Sequence, residues 1–268
     1  MKNNKKIAVI IPTYKPQEYL KKCLDSLDIQ TLSKNKFCVY IALNGGKQPY
    51  ENEILSLLKL YSFHSKYIYI KELGVSNARN KLIDCSKEEF IAFIDDDDLV
   101  SPNYLSNLLE VSTEEYMGIA KVYNFKKSIN TVTSHYVGIL YDKLSQSEVP
   151  KFKTRKYYSP MCAKLIHRNI IGETRFDTHL KNGEDALFMA TISINIKKLC
   201  KPCNEVCYYI YERPNSASRR KILFKYRLKN YAYVIREYFK LLISPGYNKL
   251  FILTRILATL KKLIMGLN

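Results

Sequence analysis

The chain has 268 residues, 47% of them hydrophobic and 25% charged, a composition that excludes a disordered or fibrous chain and admits one sizeable core plus a tail. Lysine and arginine number 43 against 25 acidic residues, a net charge of +18, so an anionic partner is expected: nucleic acid, a phosphorylated substrate or an acidic membrane. No stretch reaches the roughly 18 uncharged apolar residues of a membrane span, because Arg255, Lys261 and Lys262 interrupt the most apolar segment. The expected location is cytoplasmic.

The first apolar run, residues 7–11, follows basic residues but is too short for a secretory leader and stops at Pro12. It predicts a strand. Further strands are predicted at 37–43, 67–71 and 90–94, where β-branched and aromatic residues concentrate. Between them, 17–27 sets Leu20, Leu24 and Leu27 on one helical face, and 53–60 and 75–83 have comparable spacing. Such alternation implies a parallel sheet with right-handed crossovers, whose ligands bind outside the carboxyl ends of the strands. Pro12-Thr13-Tyr14, Asn44-Gly45-Gly46 and the run Asp95 to Asp98 all fall at those ends.

Four adjacent carboxylates repel and raise one another's pKa unless a cation or ordered donors sit among them. On extended backbone Asp95 and Asp97 share one side and Asp96 and Asp98 the other, so two oxygen ligands can converge on a hard cation such as Mg²⁺ or Mn²⁺. The competing reading is a solvated acidic turn capping a helix that begins near Pro102.

Beyond Pro102 the pattern weakens. Residues 116–125 predict one strand, 126–156 a long polar loop, and 206–211 a β-rich core strand. Glu184 and Asp185 precede a helical stretch at 186–196, where acids in the first turn ordinarily just stabilise the helix terminus. Seven cysteines, an odd number, argue for buried thiols in a reducing compartment, and Cys200, Cys203 and Cys207 fall short of a zinc set. The four histidines lack ligand-like spacing. From about Ser216 the chain is basic and helical, ending in an amphipathic segment, 250–267, that suits either an anionic lipid surface or packing on the body.

Five segments in order, VIIPTY, LGVSNARN, FIDDDDLVSPNYL, FDTHLKNGEDALF and YYIYERPNSASR, resemble the glycosyltransferase family 2 enzymes. The likeness spans residues 6–219. It implies an α/β GT-A fold, Rossmann-like with a mostly parallel sheet flanked by helices, occupying residues 1–215, with a basic helical extension over 216–268. It also implies an inverting transferase of the bacterial surface-polysaccharide type, using a nucleoside diphosphate sugar and Mn²⁺ or Mg²⁺. Carried over by motif, Pro12, Thr13, Tyr14, Arg79 and Asp96 hold the nucleotide sugar, Asp95 approaches the ribose and binds the metal together with Asp97, and Asp98 flanks them. Asp185 is the base for the acceptor hydroxyl, with Glu184 beside it as the second catalytic carboxylate, and Arg213, Ser216 and Ser218 lie near the diphosphate. Where many relatives read Asp-Asp-Gly-Ser, this chain has Leu43-Asn44-Gly45-Gly46, so Asn44 takes the place of an aspartate that contacts the base. An amide still reads a base edge, and UDP is the first choice of nucleotide.

The implied acceptor is a glycan or lipid-linked molecule at the inner face of the cell membrane. Two rivals carry different expectations: an inactive relative serving as a membrane-associated assembly partner, and a nucleic-acid binder using the +18 charge and 22 tyrosines. Retention of both acidic motifs opposes the first, and the acidic cluster at the cleft opposes the second, so no specific nucleic acid is expected.

Overall fold

A computed structural model describes residues 6–144, 150–213 and 224–265. The first half alternates as expected: β1 (Ile7–Thr13), α1 (Glu18–Asp28), β2 (Phe37–Asn44), α2 (Tyr50–Leu58), β3 (His64–Ile70), α3 (Val75–Cys85) and β4 (Phe90–Phe93). β1 pairs in parallel with both β2 and β4, and β2 with β3. Every residue of β1 and β2 is buried, because helices cover both faces of the sheet; hence their uninterrupted apolar runs. α1 turns Leu20, Cys23, Leu24 and Leu27 inward. β3 begins three residues earlier than the sequence suggests, since it is an edge strand with alternating exposure and a weaker apolar signal.

The second half departs more. β5 (Leu99–Val100) leaves the aspartates directly, α4 (Tyr104–Val111) follows, and the single strand expected at 116–125 is two, β6 (Tyr116–Ile119) and β7 (Lys121–Phe125). At the break, Ala120 donates to Ala163 O while Lys121 donates to Val206 O, so the chain leaves one sheet for another. The stretch expected as a long loop contains β8 (Val132–Ser134) and α5 (Tyr136–Lys143). Their shortness hides them from periodicity. Then come β9 (Lys164–His167), α6 (Arg168–Ile171), α7 (Glu184–Ile192), β10 (Lys198–Cys200) and β11 (Cys207–Tyr211).

The large sheet has the order β10-β6-β9-β4-β1-β2-β3, with β9 antiparallel to β4 and β6. The small one, β5-β11-β7-β8, stands at the carboxyl end of β4. Strand order reverses between β1 and β4, the position where open α/β sheets hold ligands.

Two helices close the described chain: α8 (Phe224–Ile243) and α9 (Lys249–Met265). They pack on each other and on α7, burying Val234, Tyr238, Phe251, Ile252 and Ile256. Packing on the body is therefore one use of this extension. Its outer face keeps Leu250, Leu253, Leu257, Leu260 and Ile264 exposed. Among the described residues no helix is long and apolar enough to cross a membrane. All seven cysteines are free thiols.

Candidate active site

β1 delivers the first wall of a cleft of about 1970 Å³. Pro12, Thr13 and Tyr14 line it; Tyr14 is exposed, and Thr13 is buried with its hydroxyl donating to Asp96. That bond ties the end of β1 to the turn after β4. The turn is closed by Asp98 N–H donating to Asp95 O at 3.1 Å, so the aspartates do not lie on extended backbone. Their facing nonetheless alternates: Asp96 and Asp98 are buried, while the Asp95 side chain is 43% exposed and Asp97 12%.

The buried pair holds the scaffold. Asp98 accepts from the Tyr211 N–H at 2.9 Å and from the Tyr208 hydroxyl, and that hydroxyl accepts from the Asp95 N–H at 3.1 Å. β11 is thereby locked onto the aspartate turn. Just past β11, Arg213 places its Nε 3.0 Å from Asp97 and its Nη1 3.1 Å from the Tyr19 hydroxyl. Ser216 and Ser218 lie outside the described residues.

α3 supplies Arg79, buried and aimed at the cleft. Its Nη2 is 3.0 Å from Asp95 and its Nη1 2.6 Å from Asp185, with Glu184 at 3.9 Å. Asp185 also accepts from the Met161 N–H. Glu184 and Asp185 open α7, where the helix dipole favours negative charge. The preceding Gly183 has φ 86°, a left-handed conformation in which any side chain is strained.

Asn44 lines the cleft, but its amide is engaged below it: Nδ2 donates to Glu72 O and Oδ1 accepts from the Gly74 N–H at 2.7 Å. The side chain assigned to a base edge by resemblance thus shapes the loop entering α3. Sequence reasoning also missed partners of the Asp185 loop. The Asn230 amide donates to Asn182 O at 2.7 Å, and the Tyr233 hydroxyl donates to Asp177 at 2.7 Å. Both come from α8, and spacing along a basic helix carries no sign of them.

Burial dominates the electrostatics. It raises Asp96 to about 7 despite the Thr13 hydrogen bond. Burial, then Asp95, raises Asp97 to about 6. Burial, then Asp185, raises Glu184 to about 7. Asp185 is pulled up by burial and held back by Arg79. A carboxylate raised in this way is a stronger proton acceptor than a free one.

Among the described residues no three histidine, cysteine or carboxylate groups converge on one point. Two carboxylates, Asp95 and Asp97, do face the cleft, and each already touches a guanidinium. That donor set fits Mg²⁺ or Mn²⁺, which takes one or two protein carboxylates and completes its shell with water and phosphate oxygens.

The chain is similar to known sugar transferases. It is 28% identical over 224 residues to the glycosyltransferase GlyA of Streptococcus pneumoniae, covering 80% of this chain and 32% of that protein. It is 25% identical over 215 residues to the poly(ribitol-phosphate) beta-glucosyltransferase of Bacillus spizizenii, covering 78% and 32%. The chain thus spans about a third of the length of these relatives. The structure superposes on S. aureus TarS residues 1–349 in complex with UDP-GlcNAc with a TM-score of 0.75 at 19% identity, covering 95% of this chain and 72% of that one. It shares that protein's GT-A architecture. The sequence profile of glycosyl transferase family 2 matches residues 8–174, from β1 through the aspartates to α6. The chain belongs to glycosyl transferase family 2.

Proposed function

We propose that the chain is an inverting glycosyltransferase that moves a sugar, from UDP as first choice, to a hydroxyl of a glycan or lipid-linked acceptor in cell-surface polysaccharide synthesis. One observation carries this reading: Asp95, Asp97 and Asp185, far apart in sequence, line one cleft, and Arg79 touches both acidic groups. The poly(ribitol-phosphate) glucosyltransferase activity of the Bacillus relative and the UDP-GlcNAc bound to TarS support the choice of donor and acceptor class.

In this reading the acceptor hydroxyl attacks the anomeric carbon while its proton passes to Asp185. The new C–O bond forms as the bond to the diphosphate breaks, and the electron pair leaves with the diphosphate from the opposite face. Configuration inverts. Asp97 and Asp95 would hold a divalent cation, which would supply positive charge against the departing diphosphate. Pro12, Thr13, Tyr14, Asn44, Arg79 and Asp95 shape the nucleotide pocket, and Arg213, held beside Asp97, faces the diphosphate. The cleft contributes orientation.

The outer face of α9 sets a row of exposed apolar side chains beside Lys249 and Lys261. That pattern suits peripheral attachment to an anionic membrane, at about 1 kcal/mol per basic residue near the surface. It favours a lipid-linked acceptor.

A panel of nucleotide sugars screened by thermal shift with Mn²⁺, followed by mass spectrometry of products, tests the proposal, because a bound donor raises stability by mass action. A UDP-sugar that stabilises the fold and yields glycosylated product is the expected result. A folded protein that responds to none of the panel refutes it.

A further inference from the structure

A second charged cluster lies behind Asp185, built from cations alone. Arg255 and Lys262 stand seven residues apart on α9, two turns along one face. The helical turn Arg155–Tyr158 packs against that face. Arg255 is buried, and its Nη1 donates to Ser159 Oγ at 2.9 Å. Its Nη2 donates to Ala186 O at 2.9 Å and to the Tyr238 hydroxyl at 3.1 Å. Its Nε has no hydrogen-bond partner among the described residues.

Neutral oxygens therefore satisfy most of Arg255 without cancelling its charge. Among the described residues neither it, Arg155 nor Lys262 makes an ion pair with a carboxylate. Lys262 lines the same cleft as Asp185. Burial, then Arg255, depresses the Arg155 guanidinium; Lys262 is exposed, and partial desolvation, then Arg255 and Arg155, depress its ammonium. Half-exposed Tyr136 stands within the field of Arg155, Arg255 and Asp185, and Lys156 lies 6.0 Å from its ring. Like charges gathered without a counter-charge are costly, and the cost is offset when an anion enters.

We propose that Arg155, Arg255 and Lys262 form a binding site for a phosphate group carried by the acceptor, seated beside Asp185. Guanidinium forks match phosphate geometry, and a lysine adds a point charge. Ala186 O, held by Arg255, follows Asp185 directly in the chain, so a phosphate here sits next to the group that takes the acceptor's proton. The donor diphosphate is served separately, by Asp95, Asp97 and Arg213. The inference rests on the reading of Asp185 as the acceptor-side base, and it narrows the acceptor to a phosphate-bearing molecule.

Calorimetry on the whole chain tests it with three probes: inorganic phosphate, a glycerol phosphate trimer and an uncharged glycerol trimer. Arg155→Gln, Lys262→Gln and the double variant leave the buried Arg255 in place, so folding is preserved. The wild type is expected to prefer the glycerol phosphate trimer over both other probes, and the double variant to bind it at least about tenfold more weakly. Equal binding by the double variant, or no phosphate binding by the wild type, overturns the site. Inorganic phosphate bound as tightly as the trimer overturns its assignment to the acceptor. UDP binding with Mn²⁺ on the same samples reports on the donor half: its absence from the wild type counts against the proposed reaction, independently of the phosphate result.

Discussion

Arg79 bridges Asp185 and Asp95, with its two terminal nitrogens 2.6 and 3.0 Å from the respective carboxylates. A residue from α3 thus joins the turn after β4 to the start of α7, and the two acidic motifs share one cation. Burial makes this pairing necessary. A buried guanidinium without carboxylates, or buried carboxylates without it, would carry a desolvation cost of several kcal/mol per ion.

Removing the bridge should therefore unfold the site. Arg79→Ala is expected to lose about 3 kcal/mol or more of stability, because it strands Asp185 and Glu184 in a desolvated pocket. The loss should be larger at pH 8 than at pH 5, since protonation neutralises the stranded groups. Urea denaturation at both pH values reads this, and a loss independent of pH would contradict it.

Asp185→Asn keeps shape but cannot accept a proton. Turnover should fall by about 10² to 10⁴, the usual worth of a general base, while UDP affinity changes little. Steady-state release of UDP, set beside calorimetric binding, separates the two. Near-normal turnover removes Asp185 from the mechanism.

The raised carboxylates give stability a definite pH dependence. Asp96 and Glu184 are lifted to about 7 and Asp97 to about 6, above their unfolded values. The folded state therefore binds more protons than the unfolded chain between about pH 4 and 7, and stability falls as pH rises through that window. Melting temperature without divalent ions should drop from pH 5 to pH 8. Asp96→Asn should reduce that drop, and Mn²⁺ should restore stability chiefly at the upper end. A flat profile from wild type and variant alike would contradict these environments.

The exposed row on α9 makes a separate claim. Leu257→Glu should weaken co-sedimentation with phosphatidylglycerol vesicles and leave nucleotide binding unchanged. Retained binding to anionic vesicles would assign the row to another partner.

The doubly wound half of the fold is legible in the sequence because β1 and β2 are buried on both faces and must be apolar throughout. The aspartates are legible for the opposite reason, since four adjacent charges at a strand end need an explanation. The small sheet is not legible: β5 has two residues and β8 three, too few to show a period. β5 is defined by pairing with β11, about a hundred residues away, and β8 by pairing with β7. Asp185 is found by resemblance only, as acids open many helices without chemistry. Arg213 and Asn230 reach their partners through tertiary packing, which local spacing does not encode.

Asp97, with Asp95, is expected to grip the donor diphosphate through a divalent ion. Calorimetric titration of UDP into the wild type and Asp97→Ala, each with and without Mn²⁺, reads this grip. Tight binding is expected only for the wild type with Mn²⁺, and weak binding in the other three titrations. Equal affinity in all four would contradict it.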